Sequence, residues 1–174
     1  MKGLLLFKGK YGATDQYANW IGSKLHIPAF EAGEITSVLL QDCDYLVIGS
    51  SVYMGKLILG DWLKKYSDIL INRKLFLFIV CATPSKDSET QKRIIHENIP
   101  ETILKNCSIF FLPGRLDLKT LNWRDKWLLK FACWFEKNPD KKKILLNGID
   151  AVNEENIGNL LKAVETFTFS DKVF

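Results

Sequence analysis

The sequence predicts an α/β fold in which a parallel sheet is wrapped on both faces by helices. Short apolar runs rich in Leu, Ile, Val and Phe recur at 3–7, 44–50, 75–80 and 108–112. Runs of that length and composition are strands buried on both faces. Between them lie stretches whose apolar residues return at three- and four-residue spacing, so strand and helix alternate and right-handed crossovers bring successive strands into one sheet. Each run ends in a loop of glycine, proline or small hydroxyl residues, at the positions past the carboxyl ends of strands where open α/β sheets bind ligands.

The 174 residues, 47% hydrophobic and 25% charged, suffice for one well-buried domain, expected to span 1–174. No internal repeat or low-complexity linker interrupts them. The formal charge of +4 mildly favours acidic ligands but is too dispersed for nucleic acid. Cys43, Cys81, Cys107 and Cys133 are scattered with no CxxC spacing, the usage of reduced thiols in a cytoplasmic protein rather than of disulfides or a metal site. The first apolar run has a strand's length and leads into a helix pattern, so no signal peptide is expected. No segment approaches the roughly 20 apolar residues that cross a bilayer. His26 and His96 stand apart from each other and from any Cys or carboxylate cluster, so no metal is expected.

In chain order, 3–7 is the first strand. From Thr14 the residues Tyr17, Ala18, Ile21 and Leu25 keep helical spacing, Asp15 suits the positive end of the helix dipole, and the pattern stops at His26-Ile27-Pro28. A short second strand is expected at 29–31 and a short helical connection at 35–40. The run 44–50 reads as a strand that breaks at Ser51. Leu59, Trp62, Leu63, Tyr66 and Leu70 then mark an amphipathic helix. The run 75–80 is the most continuous, as a central strand should be. Ile94, Ile95, Ile99, Ile103 and Leu104 belong to a helix that starts near Ser85 or Asp87 and breaks near Pro100. The strand at 108–112 and a covering helix at 154–167, with Ile157, Leu160, Leu161, Val164 and Phe167 on one face, complete the pattern.

The loop that carries the most chemistry is Lys8-Gly9-Lys10-Tyr11-Gly12-Ala13-Thr14. A strand that turns through glycines straight into a helix presents converging unpaired N–H groups with the helix dipole behind them, which is an anion site. Thr14 offers a helix cap and a hydroxyl for a phosphate oxygen; Lys8 and Lys10 offer charge. The spacing matches neither GxGxxG nor GxxxxGK[ST], and an ordinary strand-to-helix turn is the alternative. A second loop, Ser50-Ser51-Val52-Tyr53-Met54-Gly55, offers small hydroxyls, an aromatic ring and a thioether, suited to one face of a planar ring. Ala82-Thr83-Pro84-Ser85 ends the next strand in another loop of ligand-binding character. Arg115 and Asp117 stand where a ligand edge or an exposed ion pair would use them. Ser50 and Ser51 lack a GxSxG elbow, which argues against a hydrolase.

The helical stretch 123–135 is unusual. Trp123, Trp127, Phe131 and Trp134 form one stripe, while Leu128, Leu129, Cys133 and Phe135 spread apolar surface around it. With Arg and Lys flanking it, such a helix suits a membrane interface, a dimer contact or the wall of an apolar substrate site; packing as extra core is the alternative. Lys141, Lys142 and Lys143 read as a solvated run, or as a basic patch against anionic lipid.

The pair Phe7-Lys8-Gly9-Lys10-Tyr11-Gly12-Ala13-Thr14 and Ile48-Gly49-Ser50-Ser51-Val52-Tyr53-Met54-Gly55 resembles the phosphate loop and first ring-flanking loop of the flavodoxin family. Within it the likeness is to the menaquinone-dependent protoporphyrinogen IX dehydrogenase group, through Trp62-Leu63-Lys64-Lys65, Gly114-Arg115-Leu116 and the tryptophan-rich segment. The resemblance implies a flavodoxin-like three-layer sandwich, a five-stranded parallel sheet in the order 2-1-3-4-5, an inserted aromatic helix near 123–135, noncovalent FMN and redox chemistry. It implies phosphate binding by Gly9 to Thr14, a ring between 50–55 and 82–85 with Tyr53 stacking and the backbone near Gly55 at its N5 edge, and no catalytic acid or base. An apolar planar substrate or a redox partner protein, and a quinone or the membrane surface reached through Trp123 to Phe135, complete the expectation. A family phosphate loop has hydroxyl residues where this chain has Gly9 and Tyr11. An electron-carrying flavodoxin and a cofactor-free binding module of the same fold are the alternatives, although electron carriers of this family are acidic and this chain is not.

Overall fold

The computed structural model describes residues 1–81, 88–136 and 138–170. Ala82, Thr83, Pro84 and Ser85, expected beside a ring, lie outside the described residues, as does the expected cap at Ser85 or Asp87.

The chain runs β1 (Gly3–Lys8), α1 (Ala13–Leu25), β2 (Ala29–Glu31), a 3-10 turn (Ala32–Glu34), α2 (Ser37–Gln41), β3 (Tyr45–Tyr53), β4 (Lys56–Leu57), α3 (Gly60–Lys65) and α4 (Ser67–Leu70). It continues β5 (Lys74–Cys81), α5 (Ser88–Asn98), α6 (Glu101–Leu104), β6 (Cys107–Pro113), β7 (Arg115–Leu116), α7 (Trp123–Phe135), α8 (Pro139–Asn147), β8 (Ile149–Asp150), a 3-10 turn (Glu154–Ile157) and α9 (Gly158–Ser170). The main sheet has the order β2-β1-β3-β5-β6, all parallel, with Leu5 beside Val47, Val47 beside Phe76 and Phe78 beside Phe110. Counting only these strands, the order is the expected 2-1-3-4-5; β4 adds a short antiparallel hairpin to the end of β3.

Period-two alternation puts apolar residues on both faces. Leu4, Leu6, Leu46, Ile48, Leu75, Leu77 and Ile79 pack on one side with Leu40, Leu63, Leu70, Ile94 and Ile103 of α2 to α6. Leu5, Val47, Phe76, Phe78 and Val80 pack on the other with Tyr17, Ala18 and Ile21 of α1 and Leu160 and Val164 of α9. Because neither face of β1, β3 and β5 is open to water over its buried stretch, these strands read as unbroken apolar runs. Gly49 is the exception that proves tight packing, since a Cβ there would lie 2.1 Å from Cζ of the buried Phe78.

Two expectations are corrected. The strand at 44–50 does not break at Ser51 but continues to Tyr53, because Ser51 and Val52 still pair with Val80 and Leu57. The helix expected from Leu59 to Leu70 is two short helices meeting at Tyr66. Lys142 and Lys143 are exposed, as expected of a solvated run, and lie on a helix, α8. The stretch after β6 holds a two-stranded ribbon, β7 against β8, which pairs residues more than thirty apart and leaves no local periodicity to read.

Candidate functional site

β1 hands the chain to α1 and β2 on one side while β3 lies on the other, so a crevice opens past their carboxyl ends. A cavity of about 610 Å³ occupies it, of a size that takes a small molecule or cofactor. Its walls come from the β1–α1 loop (Lys10, Tyr11, Ala13, Thr14), the end of β3 and its hairpin (Ser51, Val52, Tyr53, Met54, Gly55), the ends of β5 and β6 (Val80, Cys81, Gly114, Arg115, Leu116), and Leu121 with α7 and α8 (Asp125, Leu128, Leu129, Phe131, Ala132, Leu145).

Gly12 takes φ +79° as the N-cap of α1, a conformation side chains resist. Thr14 is therefore not the expected cap. It sits one position inside the first turn, 1% exposed, and its Oγ1 has no hydrogen-bond partner in the protein. Gly9 leaves the space for it, since a Cβ there would come within 2.8 Å of Thr14 Cβ and of Asp15 Oδ1. Burial pushes the Asp15 carboxyl above its ordinary range, offset in part by its own backbone N–H and reinforced by Glu31. The side chain of Lys8, like Gly9 and Gly12, is not part of the cavity wall.

The second loop is a hairpin. Met54 (φ +52°) and Gly55 (φ +79°) are its two central residues, with Tyr53 paired to Lys56, which is the two-residue turn that matches strand twist. Buried Asn98 of α5 pins it: Asn98 Oδ1 accepts from Leu57 N at 2.9 Å, and Asn98 Nδ2 donates to Gly55 O at 3.2 Å. Ser50, expected at the ligand, instead serves the fold, its Oγ accepting from Leu59 N at 3.1 Å. Ser51 Oγ is buried and, like Thr14 Oγ1, has no protein partner. Two orphaned hydroxyls thus flank one cavity.

At the β6 end, Gly114 N donates to Cys81 O at 2.8 Å, and a Cβ at Gly114 would press to 3.1 Å from the Cys81 carbonyl carbon. Tyr17 Oη fixes this corner, donating to Pro113 O at 2.8 Å and accepting from Asn156 Nδ2 at 2.8 Å. Arg115 lines the cavity while pairing with Asp150 at 2.7 Å and donating to Gln16 Oε1 at 3.1 Å. Asp117 does not reach the cavity and accepts from Lys119 N within its own turn.

The inserted helix closes the site, and one of its residues was not anticipated. Asn122 caps α7 by accepting from Asp125 N at 2.8 Å. Asp125, 7% exposed, turns its carboxylate inward. Oδ1 accepts from Tyr53 Oη at 2.5 Å; Oδ2 accepts from Tyr11 Oη and pairs with Lys10 Nζ at 2.7 Å. Lys10 Nζ also stands 3.4 Å from the centre of the Tyr53 ring. Burial pulls the Lys10 pKa down, but hydrogen bonds to Asp125 and Tyr53 outweigh it and leave the ammonium above its ordinary value. The only advance signal of Asp125 is the spacing Asn-x-x-Asp at the helix start, which also fits a mere cap.

The outer face of α7 is bare: Trp123 and Trp127 are 69% exposed, Phe131 60% and Trp134 77%. Packing as extra core does not hold for this stripe. Leu128, Leu129 and Ala132 line the cavity. No helix among the described residues is long and apolar enough to cross a membrane, and among them no group of His, Cys, Asp or Glu is arranged to hold a metal ion.

The chain is similar to a flavodoxin from the domain Archaea (13% identity over 68% of this chain and 87% of that one, TM-score 0.46). It is similar to a flavoprotein in complex with FMN from Lactobacillus acidophilus NCFM (14% identity, 64% and 91% covered, TM-score 0.43) and to the Trp repressor binding protein from Bacillus subtilis (13% identity, 79% and 99% covered, TM-score 0.46). No curated protein matches it. The family model described as Flavodoxin domain matches residues 4–143, from β1 through the inserted helix into α8, and the chain belongs to that family.

Proposed function

We propose that the chain binds FMN and acts as an FMN-dependent oxidoreductase. The observation that carries this is Thr14 Oγ1, a buried hydroxyl with no protein partner, behind the positive φ of Gly12 at the start of α1. A buried hydroxyl left alone costs free energy, whereas a phosphate oxygen satisfies it beside unpaired helix N–H groups. Ser51 Oγ, Tyr53 and the Met54-Gly55 turn would meet the ring. FMN when bound supplies hydride or electron transfer, and the protein binds, orients and shields it.

The apolar wall of Leu121, Leu128, Leu129, Ala132 and Leu145, with Arg115 among the lining residues, favours a largely apolar small-molecule substrate over a protein electron partner. A porphyrinogen with a quinone acceptor, as in the protoporphyrinogen IX dehydrogenase group, is the substrate class this reading selects. The exposed stripe on α7, with Arg124 5.3 Å from the Trp123 ring and Lys130 5.9 Å from that of Trp127, supports peripheral contact with an anionic membrane, where a quinone is held.

The visible spectrum after incubation with FMN and removal of unbound ligand tests the first claim, with Thr14→Ala and Gly12→Val alongside. Flavin retained by the wild type and lost by both variants is expected; folded wild type that retains none refutes the proposal and favours a cofactor-free module. Retained flavin without turnover of protoporphyrinogen IX in the presence of a menaquinone analogue would refute the dehydrogenase reading and leave an electron carrier.

A further inference from the structure

Asp125 is the one buried charged side chain among the described residues, and it belongs to the inserted helix rather than to the sheet. Its partners lie far away in sequence, Tyr11 at 114 positions and Tyr53 at 72, one on each loop flanking the proposed cofactor site. Within α7 only Asp125 and Cys133 are buried. The helix is thus fastened across the open end of β1 and β3 by a carboxylate rather than by a broad apolar contact. Both carboxylate oxygens are used, and the ammonium that neutralises them rests on the ring expected to stack. A ring stacked on that face of Tyr53 displaces the ammonium from it, and Lys10 and its counter-charge Asp125 both line the cavity that would hold the ring.

We propose that Asp125 is a positioning residue for the flavin, clamping α7 over the site through Tyr11 and Tyr53 and neutralising Lys10 beside the ring. The proposal rests on the FMN reading above. A buried charge whose partner is removed is far costlier than an exposed one, so breaking this cluster frees the helix and leaves a bare cation at the ring. In the native cluster Lys10 and Asp125 sum to zero charge; with Asp125→Asn the sum is one positive charge, and with Lys10→Met added it returns to zero. A positive charge beside a ring that gains electrons favours the reduced form.

Two measurements decide it. In the chain without FMN, amide hydrogen exchange of 123–135 is expected to be at least about tenfold faster in Asp125→Asn than in wild type. Unchanged exchange overturns the clamp. Should Asp125→Asn fail to fold, Tyr53→Phe carries the same test, faster exchange being expected and wild-type exchange overturning the clamp. In the FMN-loaded chain, the midpoint potential is expected to move positive in Asp125→Asn and to return in Asp125→Asn/Lys10→Met; a potential that does not move, or that the second substitution does not return, overturns the charge assignment. Wild type that retains no FMN refutes the function and with it the assignment to the ring, while the exchange measurement still decides the clamp.

Discussion

Thr14→Val separates binding from folding because it should move them in opposite directions. The substitution keeps the side chain's shape and removes Oγ1, a buried hydroxyl with no protein partner. Removing an unpaired buried hydroxyl relieves a desolvation cost of about 1–3 kcal/mol. Without ligand, the variant should therefore be more stable than wild type by about 1 kcal/mol or more, which for a chain of this size raises Tm by at least about 2–4 °C. With ligand, a hydrogen bond to a charged phosphate is lost, about 1.5–3 kcal/mol, or roughly tenfold to more than a hundredfold in Kd for FMN. Riboflavin, which lacks the phosphate, should bind both proteins alike. Thermal unfolding and fluorescence titration read the two effects. A variant that is clearly destabilised yet binds FMN like wild type would refute the reasoning, because the hydroxyl would then be serving the fold.

Other outcomes follow from the same structure. Gly49→Ala drives a Cβ into the buried Phe78 ring, so unfolding in urea should show a loss of about 1–3 kcal/mol or more. Burial holds the Cys107 thiol up at about 11, against an unfolded value of 9.0, with Lys74 opposing. The unfolded thiol therefore ionises first, the stability it contributes is whole below pH 9 and is lost between pH 9 and about 11, and the loss amounts to about 3 kcal/mol. Denaturation of wild type should fall more steeply with pH over that range than that of Cys107→Ala. Tyr17→Phe removes the hydroxyl that joins α1 to Pro113 and Asn156 and should cost about 1–3 kcal/mol in thermal melts. Trp127→Ser and Trp134→Ser, at exposed positions, should leave stability within about 0.5 kcal/mol of wild type while weakening co-sedimentation with anionic vesicles.

What the sequence disclosed depended on the range of the interaction. The central strands were legible because burial on both faces makes runs such as 75–80 continuously apolar, and α7 was legible from its aromatic spacing to the residue. The β1–α1 loop was legible as glycines between a strand and a helix, although the cap proved to be Gly12 and Thr14 Oγ1 is left without a protein partner. Ser50 was misread because its hydroxyl turns to Leu59, nine residues on, a contact no local pattern records. The β7–β8 ribbon and the Asn98 bracket on the hairpin join distant residues and leave no periodicity. Asp125 hid for the same reason: only the fold brings it to Tyr11, Tyr53 and Lys10.

The most direct test of the account is a paired titration of the purified chain with FMN and with riboflavin, followed by quenching of flavin fluorescence. A phosphate held by the start of α1, Gly12 and Thr14 predicts FMN tighter by at least about a hundredfold. Equal affinities for the two, or none for either with the chain folded, would contradict it.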